Sequence, residues 1–312
     1  MRLATFRFRQ QAPLLGSPVD GQIVDLNAAY RAMLRERGEP RADELAAAIV
    51  PSNIIGFLDS GERAIGAAKE ALGYVAKLGA RAAEEGSLAY PADSVKLLAP
   101  VPQPRKLLMV GLNYRDHAQE SGNPIPEYPT FFMKGSVCVT NPGDGIEYPK
   151  VSKQLDYESE LAFVIGKRGR HVPKEKALDY VAGYTIVNDV SVRDYQRRGQ
   201  WTMGKNFENG APMGPYLVLK DEIPDPHVLD ISCFLNGERV QHSNTKQLIF
   251  DVNYLVNYIS ECVTIEPGDM VSTGTPSGVG LFRNPQLFMK PGDVVRCEVA
   301  KIGVLENRIV GE

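Results

Sequence analysis

The chain has 312 residues, 43% hydrophobic and 23% charged, with a formal net charge of −3. That mixture excludes a disordered segment. The acidic balance argues against a nucleic-acid or anionic-membrane partner, because such binding depends on clustered positive charge. A small-molecule partner is the expectation.

The length suggests one large domain with a smaller companion. The opening stretch, residues 1–10, lacks the apolar core of a secretory signal, and no run of about 18 apolar residues could span a bilayer. A cytoplasmic location is expected on that basis.

Residues 1–98 read as a small N-terminal α+β domain. A strand-like LATFRF is followed by a helix with Leu26, Tyr30, Met33 and Leu34 on one face, ended by Gly38. A second helix starts at Asp59-Ser60-Gly61-Glu62, which resembles a capping box, and carries Ile65, Ala68, Leu72 and Val75 at helical spacing. Pro100, Pro102 and Pro104 mark an extended connector.

From residue 105 to 312 the texture is β-rich, with short apolar runs punctuated by Gly, Pro and Asn. A helix entered at Pro173 and carrying Ala177, Leu178 and Val181 is expected to stop at Gly183, and another covers about Phe250 to Ser260. Cys138, Cys233, Cys262 and Cys297 show neither CxxC spacing nor accompanying histidines, so reduced and mostly buried thiols are expected.

Chemistry concentrates in Asp156-Tyr157-Glu158-Ser159-Glu160 and the apolar run after it. In a strand Glu158 and Glu160 share a face, which forces two carboxylates together. Such a pair either raises a pKa or takes a cation, and hard oxygen donors favour Mg²⁺, Mn²⁺ or Ca²⁺. A solvent-facing Glu-x-Glu edge is the plain alternative. Asp189 ends the next apolar run, Gly183 to Asn188, and would be a third ligand if the chain returns to the same sheet; otherwise it is a turn residue. His171 and His227 read as surface or structural, and His242 is left open.

With these segments belong Asn113 to Glu120, Pro129 to Lys134, Asn188 to Gln196, Gly204-Lys205 and Gly274-Thr275-Pro276-Ser277-Gly278. Their order, spacing and types resemble the fumarylacetoacetate hydrolase family, especially its acylpyruvase and fumarylpyruvate hydrolase-like members, over roughly residues 105 to 310. The resemblance implies an α+β fold whose catalytic domain is a mixed β-roll or sandwich. It implies one divalent cation, Mg²⁺ or Mn²⁺ with Ca²⁺ as a further option, held by Glu158, Glu160 and Asp189, and a homodimer.

His117 and Glu120 would form a water-activating pair, Lys205 would stabilise an oxyanion, and Thr275 would bind the substrate's carboxylate end. Arg193 and Gln196, four and seven residues after Asp189, would face the same way as it on a helical continuation; the resemblance makes them substrate contacts, with buttressing of the metal ligands through hydrogen bonds as the alternative. The implied activity is hydrolysis of a C–C bond in a small β-diketo or 2-oxo acid (acylpyruvate, fumarylpyruvate or fumarylacetoacetate) through a metal-stabilised enolate. The alternative is decarboxylation or isomerisation of a 2-oxo dioate such as oxaloacetate or 2-hydroxyhepta-2,4-diene-1,7-dioate, in aromatic catabolism.

Overall fold

The computed structural model describes residues 1–79, 81–84, 88–197 and 200–312. Strands β1 (Arg2–Phe8), β2 (Leu14–Val19) and β3 (Gln22–Asp25) lead into helices α1 (Leu26–Glu36), α2 (Ala42–Ile49), α3 (Ile54–Asp59), α4 (Gly61–Leu78) and α5 (Arg81–Glu84). Strands β4 (Ala89–Pro91) and β5 (Val95–Leu97) bring the chain back to them.

Beyond the proline connector come β6 (Leu107–Gly111), α6 (Arg115–Ser121), β7 (Thr130–Met133), β8 (Val139–Thr140), β9 (Ile146–Tyr148) and β10 (Leu155–Asp156). The central strands β11 (Ser159–Ile165) and β12 (Val181–Asn188) follow, then β13 (Ser191–Val192), α7 (Trp201–Lys205) and β14 (Ala211–Leu219). The hairpin β15 (Asp230–Leu235) and β16 (Glu238–Asn244), α8 (Val252–Cys262), β17 (Met270–Ser272) and the hairpin β18 (Val294–Val299) and β19 (Gly303–Gly311) complete the chain.

One large sheet runs β4-β3-β2-β1-β14-β12-β11-β17-β6-β7, so residues 1–98 extend the sheet that carries the acidic motif. The join is an antiparallel pairing of β1 with β14, Arg2 opposite Val218. A second sheet, β16-β15-β18-β19-β9, lies against one face. The result is an α+β architecture, as the sequence leads one to expect.

The alternation of β11 explains the layering. Leu161, Phe163 and Ile165 enter a core with Ile231, Cys233, Val295 and Leu305 of the second sheet. Ala162 and Val164 point the other way, into a core with Leu26, Ala29, Ala64 and Ala68 of the N-terminal helices. Small side chains on that face let α1 and α4 pack closely. Glu158 and Glu160 continue the same parity toward the start of the strand.

Local capping matches the sequence in part. Asp25 caps α1 by accepting from Ala28 N at 3.0 Å, and Asp251 caps α8 by accepting from Tyr254 N at 2.7 Å. Ser60 makes no such side-chain bond at α4 and instead donates to Gly56 O, having been drawn into the end of α3.

The segment after Pro173 is a 3₁₀ stretch over Lys174–Tyr180, and Val181 already belongs to β12. Gly183 therefore stops no helix. It sits mid-strand, where an added Cβ would lie 2.2 Å from the Val218 carbonyl oxygen. Gly183→Ala is thus expected to lower stability by about 1–3 kcal/mol, since backbone cannot yield as a side chain can. A urea midpoint equal to the parent's would contradict this reading.

Candidate active site

The three predicted carboxylates converge. Asp189, one residue beyond β12, donates its N–H to Glu158 O at 2.9 Å across the strand pair, bringing its side chain beside the two glutamates. One oxygen from each of Glu158, Glu160 and Asp189 can be chosen so that all three lie within 4.8 Å of one another, and all three residues are buried. The solvent-facing Glu-x-Glu alternative is thereby excluded.

Glu160 is oriented by its own sheet. Its Oε2 accepts from Ser272 Oγ at 2.6 Å and from Gly274 N at 3.0 Å. Gly274 has φ +93°, and a Cβ there would meet Asn113 Cβ and Val110 O at 2.9 Å, so only glycine presents its N–H in this way.

Cations surround the cluster. Lys205 Nζ lies 2.8 Å from both Glu158 Oε2 and Asp189 Oδ2. Lys134 Nζ lies 2.7 Å from Asp189 Oδ1 while donating to Val190 O and Gly210 O at 3.0 and 2.5 Å. Arg193 spans Asp156 Oδ2 at 2.8 Å and Glu158 Oε1 at 2.7 Å, and also donates to Gln196 Oε1 at 3.1 Å.

These contacts divide the carboxylates. Burial pushes Glu158 up, but Lys205 and Arg193 outweigh it and hold the group at about 2. Glu160 is pushed well above its ordinary value by burial and by the charges of Asp189 and Glu158. Burial opposes the charge on Lys205, yet Asp189 and Glu158 raise its pKa. Asp156, Glu158 and Asp189 are thus matched by Lys134, Arg193 and Lys205, while Glu160 makes no ion pair among the described residues, in keeping with its raised pKa.

The donor set fits a hard divalent cation. All three candidate ligands are buried carboxylates, without thiol or imidazole. With all four acids ionised, a bound dication would leave the cluster with net positive charge, suited to an anionic ligand.

His117 lies on α6, and its Nδ1 is 3.2 Å from Glu120 Oε2, one helical turn on. The other oxygen of Glu120 accepts from Gly278 N at 2.8 Å, tying α6 to the 274–278 turn. His117, Glu158, Glu160, Asp189, Arg193, Gln196, Lys205 and Thr275 line one cavity of about 390 Å³, with Glu120 behind His117. A separate cavity of about 310 Å³ between α4 and the β12–β14 edge has apolar walls and an ion-paired Lys69 at its rim, but no carboxylate cluster of this kind among the described residues.

Two details differ from the sequence reading. Arg193 and Gln196 reach the site through β13 and a 3₁₀ turn over Arg193–Tyr195, not a helical continuation of Asp189. Thr275 donates its hydroxyl to Ser159 O at 3.0 Å and accepts from Gln241 Nε2 at 2.9 Å, so the hydroxyl is already engaged.

Asp156, Lys134 and Ser272 were not singled out as site residues, although all three touch the cluster. Asp156 accepts from Tyr157 N, Gly280 N and Leu281 N as well as Arg193. The available signal was a charged or polar residue at the end of an apolar run, as in Phe131-Phe132-Met133-Lys134. Of the remaining histidines, His242 pairs with Ser232 on an exposed face, and His171 and His227 pair with nearby acids.

Residues 106–310 match the family profile described as fumarylacetoacetate (FAA) hydrolase, C-terminal. The chain is 42% identical over 319 aligned positions to a Rattus norvegicus protein named oxaloacetate tautomerase Fahd2a, mitochondrial, covering 99% of this chain and 92% of that one. Among solved structures, a 5-carboxymethyl-2-hydroxymuconate delta-isomerase from Mycobacterium smegmatis superposes with a TM-score of 0.72 at 29% identity, covering 100% and 99% of the two chains. Maleylpyruvate hydrolase from Sphingobium sp. SYK-6, in complex with manganese(II) and pyruvate, superposes with a TM-score of 0.75 at 28% identity and the same coverage.

The mitochondrial naming of the rat relative overturns the cytoplasmic expectation. That expectation rested on a missing apolar segment, which bears on secretion alone; mitochondrial transit segments are amphipathic and Arg-rich, so they show no apolar run.

Asp156→Ala would strip three backbone N–H groups of their acceptor and leave the buried Arg193 half paired. A loss on the order of 3 kcal/mol is expected in denaturant titration. A loss below about 1 kcal/mol would show that the pairing adds little beyond water.

Proposed function

Because this chain belongs to the fumarylacetoacetate hydrolase family, we propose that its cavity is the active site of a divalent-metal enzyme that interconverts the keto and enol forms of an oxaloacetate-type 2-oxo dioate. What carries this over C–C hydrolysis is the near-complete coverage of the chain by a 42% identical relative named as an oxaloacetate tautomerase. The manganese and pyruvate held by the Sphingobium hydrolase support a divalent-metal site and a 2-oxo acid ligand.

In this reading Glu158, Glu160 and Asp189 would hold the cation, which would supply a Lewis acid that makes the C3 protons of the 2-oxo acid more acidic. His117 removes a proton from C3, and Glu120, 3.2 Å away, stabilises the imidazolium that results. The C3–H electron pair becomes the C2–C3 double bond, and the keto oxygen gains charge.

Lys205 offers that oxygen a fixed positive charge already held in place by two carboxylates. His117 then returns the proton to oxygen. No water is consumed, so the base needs to serve one substrate and no nucleophile. Arg193 and Gln196 face the same cavity and can receive the substrate's carboxylate. Thr275 borders the same cavity with its hydroxyl already engaged by Ser159 O and Gln241 Nε2.

The test follows loss of the ultraviolet absorbance of enol oxaloacetate with Mg²⁺ or Mn²⁺ and with EDTA, alongside pyruvate release from acylpyruvates. Ketonisation should be metal-dependent and fall about 10²- to 10⁴-fold in His117→Ala, the usual range for losing a general base, with the fold intact. Pyruvate release from acylpyruvates without accelerated ketonisation would reject the tautomerase reading in favour of hydrolysis.

A further inference from the structure

The sequence contains one tryptophan, and it stands at the wall of this cavity. Trp201 begins α7, four residues before Lys205, so the indole and the ammonium group leave the same face of a single turn. The six-membered ring abuts the α-carbon of Gly111 at the end of β6. A Cβ at Gly111 would come within 2.4 Å of Cζ3 and 2.7 Å of Cη2. Gly111 is not among the glycines with positive φ, so its missing side chain serves this contact and not the backbone.

Phe132 on β7 meets the indole edge-on at 5.4 Å between centroids, and its ring centroid lies 5.2 Å from Lys205 Nζ. Behind α7, a Cβ at Gly204 would lie 2.6 Å from Gln196 N. This five-residue turn is therefore wedged between two surfaces, and so short a helix cannot fix its own orientation. We propose that Trp201 is a positioning residue: seated on Gly111, it sets the orientation of α7 and thereby the point at which Lys205 enters the carboxylate cluster.

The test uses the full chain as Gly111→Ala, Trp201→Leu, Trp201→Phe and the double variant Gly111→Ala/Trp201→Leu. Because Trp201 is the sole tryptophan, emission reports its seat directly. Gly111→Ala should make that emission about two-fold more quenchable by acrylamide. It should also tighten Mn²⁺ binding several-fold, as Lys205 withdraws from Glu158 and Asp189 and stops competing for their charge.

The kinetic arm rests on the tautomerase reading. There kcat should fall on the order of 10²-fold, as for a misplaced catalytic group, in both Gly111→Ala and Trp201→Leu. Trp201→Phe should recover most of the loss, and Gly111→Ala should cost little more once the indole is gone. Unchanged quenching and Mn²⁺ affinity in Gly111→Ala, or a full further loss of kcat in the double variant, would overturn the proposal. Changed quenching and Mn²⁺ affinity in a chain inert toward oxaloacetate would uphold the positioning role and reject the tautomerase reading alone.

Discussion

Electrostatic crowding at the head of β11 organises this protein. Glu158 and Glu160 are forced onto one face by strand geometry, and Asp189 is added by the pairing of β11 with β12. Burying this much like charge is unfavourable without compensation. Lys134, Arg193 and Lys205 supply most of it from three separate segments. Glu160, which has no ion-pair partner among the described residues, is the carboxylate whose charge a dication would favour.

The same constraint accounts for the way the periphery is built. Arg193 can be buried because Asp156 meets it, and Asp156 can be buried because backbone N–H groups of Tyr157, Gly280 and Leu281 point at it. Glu160 is held by Ser272 and by a glycine whose conformation no other residue adopts cheaply. Asp156 and Glu160 are thus both supported by neutral donors one step further out. Such an arrangement fixes geometry more firmly than pairwise ion contacts alone.

Much of this was legible in the residues. Period-two spacing brought Glu158 and Glu160 together, helical spacing joined His117 to Glu120, and the prolines at 100, 102 and 104 marked the change of texture. Features set by distant packing were not legible. The segment after Pro173 has helical composition, yet Val181 is claimed by β12, whose pairing with β11 and β14 outweighs local preference. A helical continuation from Asp189 and the observed strand followed by a 3₁₀ turn both carry Arg193 toward the cluster, and residue spacing alone cannot tell one from the other. The choice among reactions lay furthest from the sequence motifs, because one carboxylate platform serves hydrolysis, decarboxylation and proton transfer alike.

The seam between β1 and β14 has a kinetic side. β5 closes on Phe6, Arg7 and Phe8 of β1, but Arg2 and Leu3 wait on that edge for Val218 and Leu217, more than two hundred residues further along the chain. Contacts of such sequence separation slow folding, because loop closure precedes any reward from pairing. The N-terminal helices can assemble early around their own alanine-lined interfaces, but the sheet they cover is completed late. For a growing chain, the start of β1 is an unpaired edge of the kind that invites association with other chains until β14 reaches it.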